Sequence, residues 1–216
     1  MITKRLVARI AVYILGLLVL AFGVVFAINS DLGISPVNAF PRAASLVFGF
    51  GMGISVTVFF MLCILLQIVL LCKEFKLINL TQIIYSFIFG YFMDFAVFMK
   101  GGFTLPTYAG QLTMFAISLI LIPTGLSLYM EAKFVPLPAE GLVIAITQKL
   151  PNSTFSRVKV VFDCVLVSLA MLLTLIFLGG IYGVREGTVI SAIFIGRLIP
   201  HTRKVISRVL GKLGFY

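Results

Sequence analysis

The sequence is poor in the residues that cover the surface of a soluble protein. Charged residues occupy only 11% of its 216 positions and tryptophan is absent, whereas apolar residues occupy 61%. Globular domains carry about 25% charged and about 45–50% apolar residues. This composition excludes a soluble enzyme, a disordered chain and a secreted disulfide scaffold. It predicts one compact integral membrane domain.

Residues and motifs that carry catalysis are also scarce. The single histidine, His201, lies in a basic C-terminal segment, and the three cysteines form no CxxC pair. The chain has no GxxxxGK[ST] loop for phosphates and no HExxH pair for zinc. We therefore expect no enzymatic activity, no cofactor and no metal site.

The apolar residues that are present form long runs. About 20 such residues cross the hydrocarbon core of a membrane. Two shorter runs reach only part of the way at about 1.5 Å per residue, and each opens with a proline, a favoured first residue of a helix. Arg197 and Pro200 weaken the sixth long run. The long runs are about 10–28, 54–72, 77–99, 112–130, 160–178 and 187–206, and the short runs are 36–48 and 138–148.

The fold class that these runs predict is an all-α, polytopic transmembrane bundle. It has about six spanning helices plus two short Pro-headed helices that are re-entrant, so that they enter and leave on the same side. With the N-terminus inside, this arrangement places 14 Lys and Arg residues on the cytoplasmic side and 3, namely Arg42, Lys100 and Arg185, outside. If the short runs also span, giving eight crossings, the count is 12 against 4, with Arg42 inside a span. Basic residues concentrate in cytoplasmic loops, so the six-span arrangement with both termini cytoplasmic is favoured.

The two halves of the chain resemble each other. A shift of 102 residues aligns Gly23 with Gly125 and Pro36 with Pro138, and the order of long and short helices repeats. We predict a first repeat at 1–106, a second at 107–200 and a basic interfacial helix at 201–216. Three crossings per half make the repeats inverted, as in many secondary transporters.

The short helices define the predicted site. Broken backbone inside a membrane must line a cavity or be buried in protein. If the N-termini of both short helices lie at depth, their positive dipole ends suit an anionic solute. If the C-termini meet there, the site suits a cation, and the sequence leaves both arrangements open.

Six polar residues in apolar surroundings are candidates for a substrate or ion pathway. Ser35 is also a good N-cap, and Asn38 and Glu140 stand two residues after each proline, where a side chain can either complete a cap or contact a solute or a proton. Asp94 and Arg42 form either a structural ion pair or a gate or proton-coupling site. Asp163 lies at i,i+4 from Lys159, which also fits a surface pair. The candidates are Ser35, Asn38, Arg42, Asp94, Glu140 and Asp163.

Two of these segments resemble a known family. The motif Leu32-Gly33-Ile34-Ser35-Pro36 after the first helix, and the run from Gly90 to Asp94 in the third span, are similar to the YczE/YyaS/YitT group of bacterial membrane proteins. The resemblance covers most of the chain in length and order of elements. It implies a multi-pass protein of the bacterial cytoplasmic membrane and implies no particular substrate.

The leading hypothesis for function is a small-solute transporter with a midplane site between inverted repeats. One alternative is the substrate-binding membrane subunit of a larger energy-coupled importer, since such subunits have similar size and helix number. Another is an accessory protein that transports nothing. The expected partners are the lipid bilayer and an unidentified small molecule or ion, with no nucleic acid. A homodimer is compatible with the sequence.

Overall fold

The structure, a computed structural model, describes residues 2–212 and Phe215, without the side chains of residues 2–5 and 212. The predicted tail residue Leu213 and the side chains of Lys4, Arg5 and Lys212 lie outside this description. The described residues form eight α-helices and two short 3-10 helices, and they contain no strand. The all-α fold class is confirmed. The helices are α1 (Ile2–Ser30), α2 (Pro36–Phe48), α3 (Met52–Leu71), α4 (Thr81–Lys100), α5 (Tyr108–Glu131), α6 (Pro138–Lys149), α7 (Phe155–Leu178) and α8 (Glu186–Lys212).

Local sequence signals set several helix ends. Both short helices begin at the prolines that predicted them, because proline lacks the N–H that the first turn leaves unbonded. Thr107 and Thr154 cap α5 and α7, each accepting a hydrogen bond from a backbone N–H three residues on. Gly179, at φ +71°, ends α7 in the left-handed conformation that glycine adopts without strain.

Among the described residues, five helices are long and apolar enough to cross a membrane: α1, α3, α4, α5 and α7. The sixth predicted span forms α8 but is not among them, because Arg197 and the basic residues after Pro200 lower its hydropathy. The helix also continues without a break through Pro200 to Lys212. Residues 201–212 are therefore the end of α8, and their predicted position at the membrane interface stays a prediction.

The chain divides into two compact units, each of which draws on both halves of the sequence. Unit 1 contains the chain up to Ser35, then Phe95–Phe134, then the chain from Arg185 onward. Unit 2 contains Pro36–Asp94 and Val135–Val184. Helix α4 passes from one unit into the other at Asp94. The predicted repeat boundary at 106/107 stays a prediction.

Close packing of α1 on α5 builds the core of unit 1. A β-carbon added at Gly16 would lie 2.6 Å from Tyr129 N, and one added at Gly125 would lie 2.5 Å from Leu20 N. One added at Gly23 would lie 2.9 Å from the backbone nitrogen of Ile122. The partner's number on α5 falls as the position on α1 rises, so the two helices run antiparallel. Small residues permit this backbone approach, as in many membrane helix pairs.

The loop between α1 and α2 packs on the first turn of α8, also within unit 1. Leu32 O accepts a hydrogen bond of 2.7 Å from Gly187 N, and Ile34 O accepts one of 3.4 Å from Ser191 Oγ. Gly33 has φ +119°, and an added β-carbon there would lie 2.7 Å from Thr188 N. Residues 32–35 of this loop are therefore buried in protein, whereas Asp31 is exposed.

Unit 2 contains both short helices. Helix α2 packs against α7 and α3, while α6 packs against α3 and α7. Helix α3 also approaches α4 through two facing glycines, Gly53 and Gly90, where an added β-carbon on either would overlap the opposite helix. These contacts position the polar residues of the site.

Candidate functional site

The candidate site lies in unit 2, at the N-terminus of α6. Pro138 is the first residue of this helix and Glu140 is the third. The Glu140 carboxylate lies at the positive end of its own helix, where its own backbone N–H interacts with it. The Leu137 cap residue has no side-chain hydrogen bond, so this carboxylate is the negative group nearest the α6 terminus in sequence.

One oxygen of this carboxylate has no partner. Glu140 Oε2 is enclosed by the protein and makes no hydrogen bond. A buried polar atom without a partner costs about 1–3 kcal/mol, and more when the group is charged. Native structures retain few such atoms, and each one calls for an explanation from function or from a bound species.

Two charged residues of α7 act on Glu140. Lys159 Nζ contacts Asp163 Oδ1 one helical turn away, which confirms the predicted i,i+4 pair. The side chains of both residues are largely buried, and both charges interact electrostatically with Glu140. The structure thus brings two of the six predicted site residues, Glu140 and Asp163, into one charged cluster with Lys159. We call these three residues the Glu140 cluster.

A pair of buried amides holds the beginning of α6 next to this cluster. Gln67 Nε2, on α3, donates to Gln82 Oε1 on α4 at 3.0 Å and to the carbonyl oxygen of Pro138 at 3.1 Å. A β-carbon added at Gly141 would lie 2.8 Å from Gln67 Oε1 and from Gln82 Nε2. A side chain at this point of α6 would displace the two amides from their present positions. The sequence alone gives no reason to place either glutamine at α6.

Asp94 caps a helix. Its Oδ1 accepts a hydrogen bond of 2.8 Å from Gly53 N, in the first turn of α3. Gly51, the residue before α3, has no side chain that could cap it, so Asp94 supplies the missing acceptor from α4. The described partner of Asp94 is thus the backbone of Gly53, and the predicted relation between Asp94 and Arg42 stays a prediction.

The three remaining predicted site residues are not members of the Glu140 cluster. Asn38 is buried and Arg42 is partly exposed on α2 in unit 2, and a β-carbon added at Gly183 would lie 3.3 Å from Arg42 Cγ. Ser35 is buried at the end of unit 1, next to Pro36. None of the three has a described contact with Glu140.

An ion pair in unit 1, between a buried carboxylate and a half-exposed arginine, was not predicted from the sequence. Glu131, at the C-terminal end of α5, is 5% exposed, and its Oε1 accepts a hydrogen bond of 2.7 Å from Arg203 Nε on α8. A carboxylate at the negative end of a helix is unfavourable, and the guanidinium compensates it. In the sequence, Glu131 is an acidic residue directly after a long apolar run, which indicates only the end of a span.

Helices of this length and apolarity, with ionisable groups enclosed between them, define a multi-pass α-helical membrane protein. Within the described part of the chain, no group of three or more His, Cys, Asp or Glu residues is arranged to hold a metal ion.

A family model described as a family of unknown function, DUF6198, matches residues 7–204, and the chain belongs to that family. The chain is 29% identical over 201 residues to YyaS, an uncharacterized protein of Bacillus subtilis strain 168, covering 91% of this chain and 92% of YyaS. It is 30% identical over 201 residues to YczE, an uncharacterized membrane protein of the same strain, covering 91% of this chain and 86% of YczE. These relatives confirm the resemblance drawn from residues 32–36 and 90–94. No solved structure matches the chain significantly.

Proposed function

We propose that the protein is a small-solute transporter built from two inverted repeats, with α2 and α6 as re-entrant helices. The observation that carries the proposal is the packing of α1 on α5. These helices occupy equivalent places in the two halves, and they run antiparallel. Parallel repeats would make them parallel, whereas inverted repeats require opposite directions.

The glycine contacts of this helix pair also repeat. Gly125 packs on Leu20, and Gly23 packs on Ile122. Adding 102 to the residue number relates Leu20 to Ile122 and Gly23 to Gly125. Each contact is therefore obtained from the other when the two repeats are exchanged. Such reciprocity is the mark of a two-fold relation between two segments.

Unit 2 has the same reciprocity. Helix α2 packs on α7, and α6, its equivalent, packs on α3, the equivalent of α7. The contacts of α2 with α3 and of α6 with α7 form a second equivalent pair. A transporter that alternates its access between two sides benefits from this organisation, because exchanging the roles of the two repeats converts one state into the other.

An ion pair supports a re-entrant α6. Lys149, the last residue of α6, lies 2.9 Å from Glu74, which follows α3. With six spans both residues lie on the cytoplasmic side, whereas eight spans would place them on opposite sides of the membrane. Pro138, at the other end of α6, bonds to Gln67 one turn inside α3. The N-terminus of α6 is thus its deeper end, which favours the first of the two dipole arrangements considered from sequence.

The test is ligand binding followed by transport with the purified protein. Thermal unfolding in detergent is measured against a panel of organic acids, amines, amino acids and vitamins. We expect at least one compound to raise the unfolding temperature, and we expect the same compound to enter vesicles that contain the protein. Glu140→Ala should abolish uptake, while Gly196→Ala, in a helical position with open space around it, should leave uptake unchanged. No stabilisation across the panel and no uptake would refute the proposal.

The two alternatives predict different results in the same assays. A binding subunit of an energy-coupled importer would be stabilised by its ligand but would transport only with an ATPase module, with which it should co-purify. An accessory protein would tolerate alanine at Ser35, Asn38, Asp94 and Glu140 in any functional assay.

A further inference from the structure

The two equivalent regions of unit 2, one around α2 and the other around α6, differ in charge. The shift of 102 residues relates Glu140 to Asn38, Lys159 to Thr57 and Asp163 to Met61. The first repeat therefore has an uncharged residue wherever the second has a member of the Glu140 cluster. Since α2 and α6 pack on equivalent helices, this packing does not by itself require the charges. The cluster is consequently a special feature of the second repeat.

The unpaired oxygen indicates what the cluster binds. Glu140 Oε2 is enclosed and has no donor. Lys159 contacts Asp163, so the neighbouring cation is already engaged by another carboxylate. A proton needs no cavity, and it converts the carboxylate with its enclosed, unpaired oxygen into a neutral acid that can donate a hydrogen bond.

We infer that Glu140 is the proton-binding residue that couples transport to the proton gradient. A hydronium ion of the aqueous phase supplies the proton: one of its O–H bonds breaks, an O–H bond to Oε2 forms, and water is released. With Lys159 positive and Asp163 negative, the cluster changes from a net charge of −1 to 0. Crossing the low-dielectric part of the membrane is far easier for a neutral cluster than for a charged one. The coupling role rests on the proposed function, whereas proton binding does not.

The groups around Glu140 do not bond to Oε2, so this oxygen is available to bind a proton. From α7 the charged groups are Lys159 and Asp163, and from α3 the titratable group is the thiol of Cys63. Helix α4 contributes the amide of Gln82, which Gln67 engages. No donor from these three helices bonds to Oε2.

Infrared difference spectroscopy of the purified protein, titrated with acid in H₂O and in D₂O, tests proton binding. We expect the carbonyl band of a buried protonated carboxylic acid, with an isotope shift in D₂O, in the wild type. The band should be lost in Glu140→Gln and in Glu140→Asn, which installs the residue that the first repeat has at the equivalent place. Asp94→Asn, at an exposed carboxylate of the same unit, is the matched control and should retain the band. A band that survives both Glu140 variants, or no band in the wild type, would overturn the inference.

A second measurement separates proton binding from transport. Once a transported compound is known, a pH gradient across the vesicle membrane should drive its accumulation in the wild type and should fail to do so in Glu140→Gln. Proton binding without transport of any compound would refute the proposed function and leave the proton site standing. Transport that ignores the pH gradient would refute the coupling role alone.

Discussion

The close contact of α1 with α5 predicts that replacing glycine by alanine changes stability in opposite directions at two positions. Gly125 lies within this contact, and Gly196 lies outside it. A β-carbon at Gly125 would lie 2.5 Å from Leu20 N, whereas ordinary contact begins at 3.4 Å. Alanine at this position therefore requires the backbone of α1 to move away by the difference, 0.9 Å. At Gly196, on α8, nothing lies within 4 Å of an added β-carbon.

The expected magnitudes follow from two opposing contributions. Alanine stabilises a helix relative to glycine by roughly 0.5–1 kcal/mol, and overpacking a tight contact costs about 1–3 kcal/mol. We expect Gly125→Ala to lower the free energy of unfolding by about 1–2 kcal/mol. Gly196→Ala should raise the free energy of unfolding by up to about 1 kcal/mol, because only the helix contribution remains.

The assay is unfolding by sodium dodecyl sulfate in mixed micelles, followed by circular dichroism. Gly16→Ala should behave like Gly125→Ala, since its added β-carbon lies 2.6 Å from Tyr129 N, and Gly23→Ala should have a smaller effect at 2.9 Å. The reasoning is refuted if Gly125→Ala and Gly196→Ala change stability in the same direction. It is also refuted if Gly23→Ala is the most damaging of the three substitutions on α1 and α5.

Three further predictions concern the ion pair, the cap and the topology. Arg203→Gln should lower the free energy of unfolding by about 1–3 kcal/mol, because it removes the charged partner of the buried Glu131 carboxylate; Arg203→Lys should restore part of the loss. Asp94→Ala should lower thermal stability by about 1 kcal/mol through loss of the α3 cap, whereas Asp94→Asn keeps an acceptor oxygen and should cost less. In a variant without native cysteines, a cysteine at Phe75 should react with an impermeant reagent only from the cytoplasmic side and one at Leu105 only from outside, and the reverse pattern would refute the six-span arrangement.

The helices could be predicted closely from the sequence because their signals are local. Pro36 and Pro138 mark the first residues of both short helices, and each of the five helices that can span overlaps one of the long apolar runs. The i,i+4 pair of Lys159 and Asp163 was also predictable, because both residues lie on one helix.

The contacts between helices could not be predicted. In a soluble protein the apolar face of a helix identifies its packed side, but in a membrane the lipid-facing side is apolar as well. Nothing local to Glu131 therefore pointed to Arg203, and nothing local to Asp94 pointed to the first turn of α3. For the same reason, only part of the Glu140 cluster could be predicted. Both carboxylates were identified by their charge, but their proximity depends on the packing of α6.

The pairing of α1 with α5 has a consequence for biosynthesis. The partner of Gly23 is Ile122, which the ribosome adds roughly 100 residues later, or about 5–20 s later at bacterial speed. During this time α1 has left the translocation channel without the surface that its glycines fit, and lipid or an insertion factor must cover it. The interval between the synthesis of α2 and that of its partner α7 is longer still. The membrane protein thus completes neither of its units until the second half of the chain has been inserted, so truncation within that half should leave the first half exposed to membrane quality-control proteases.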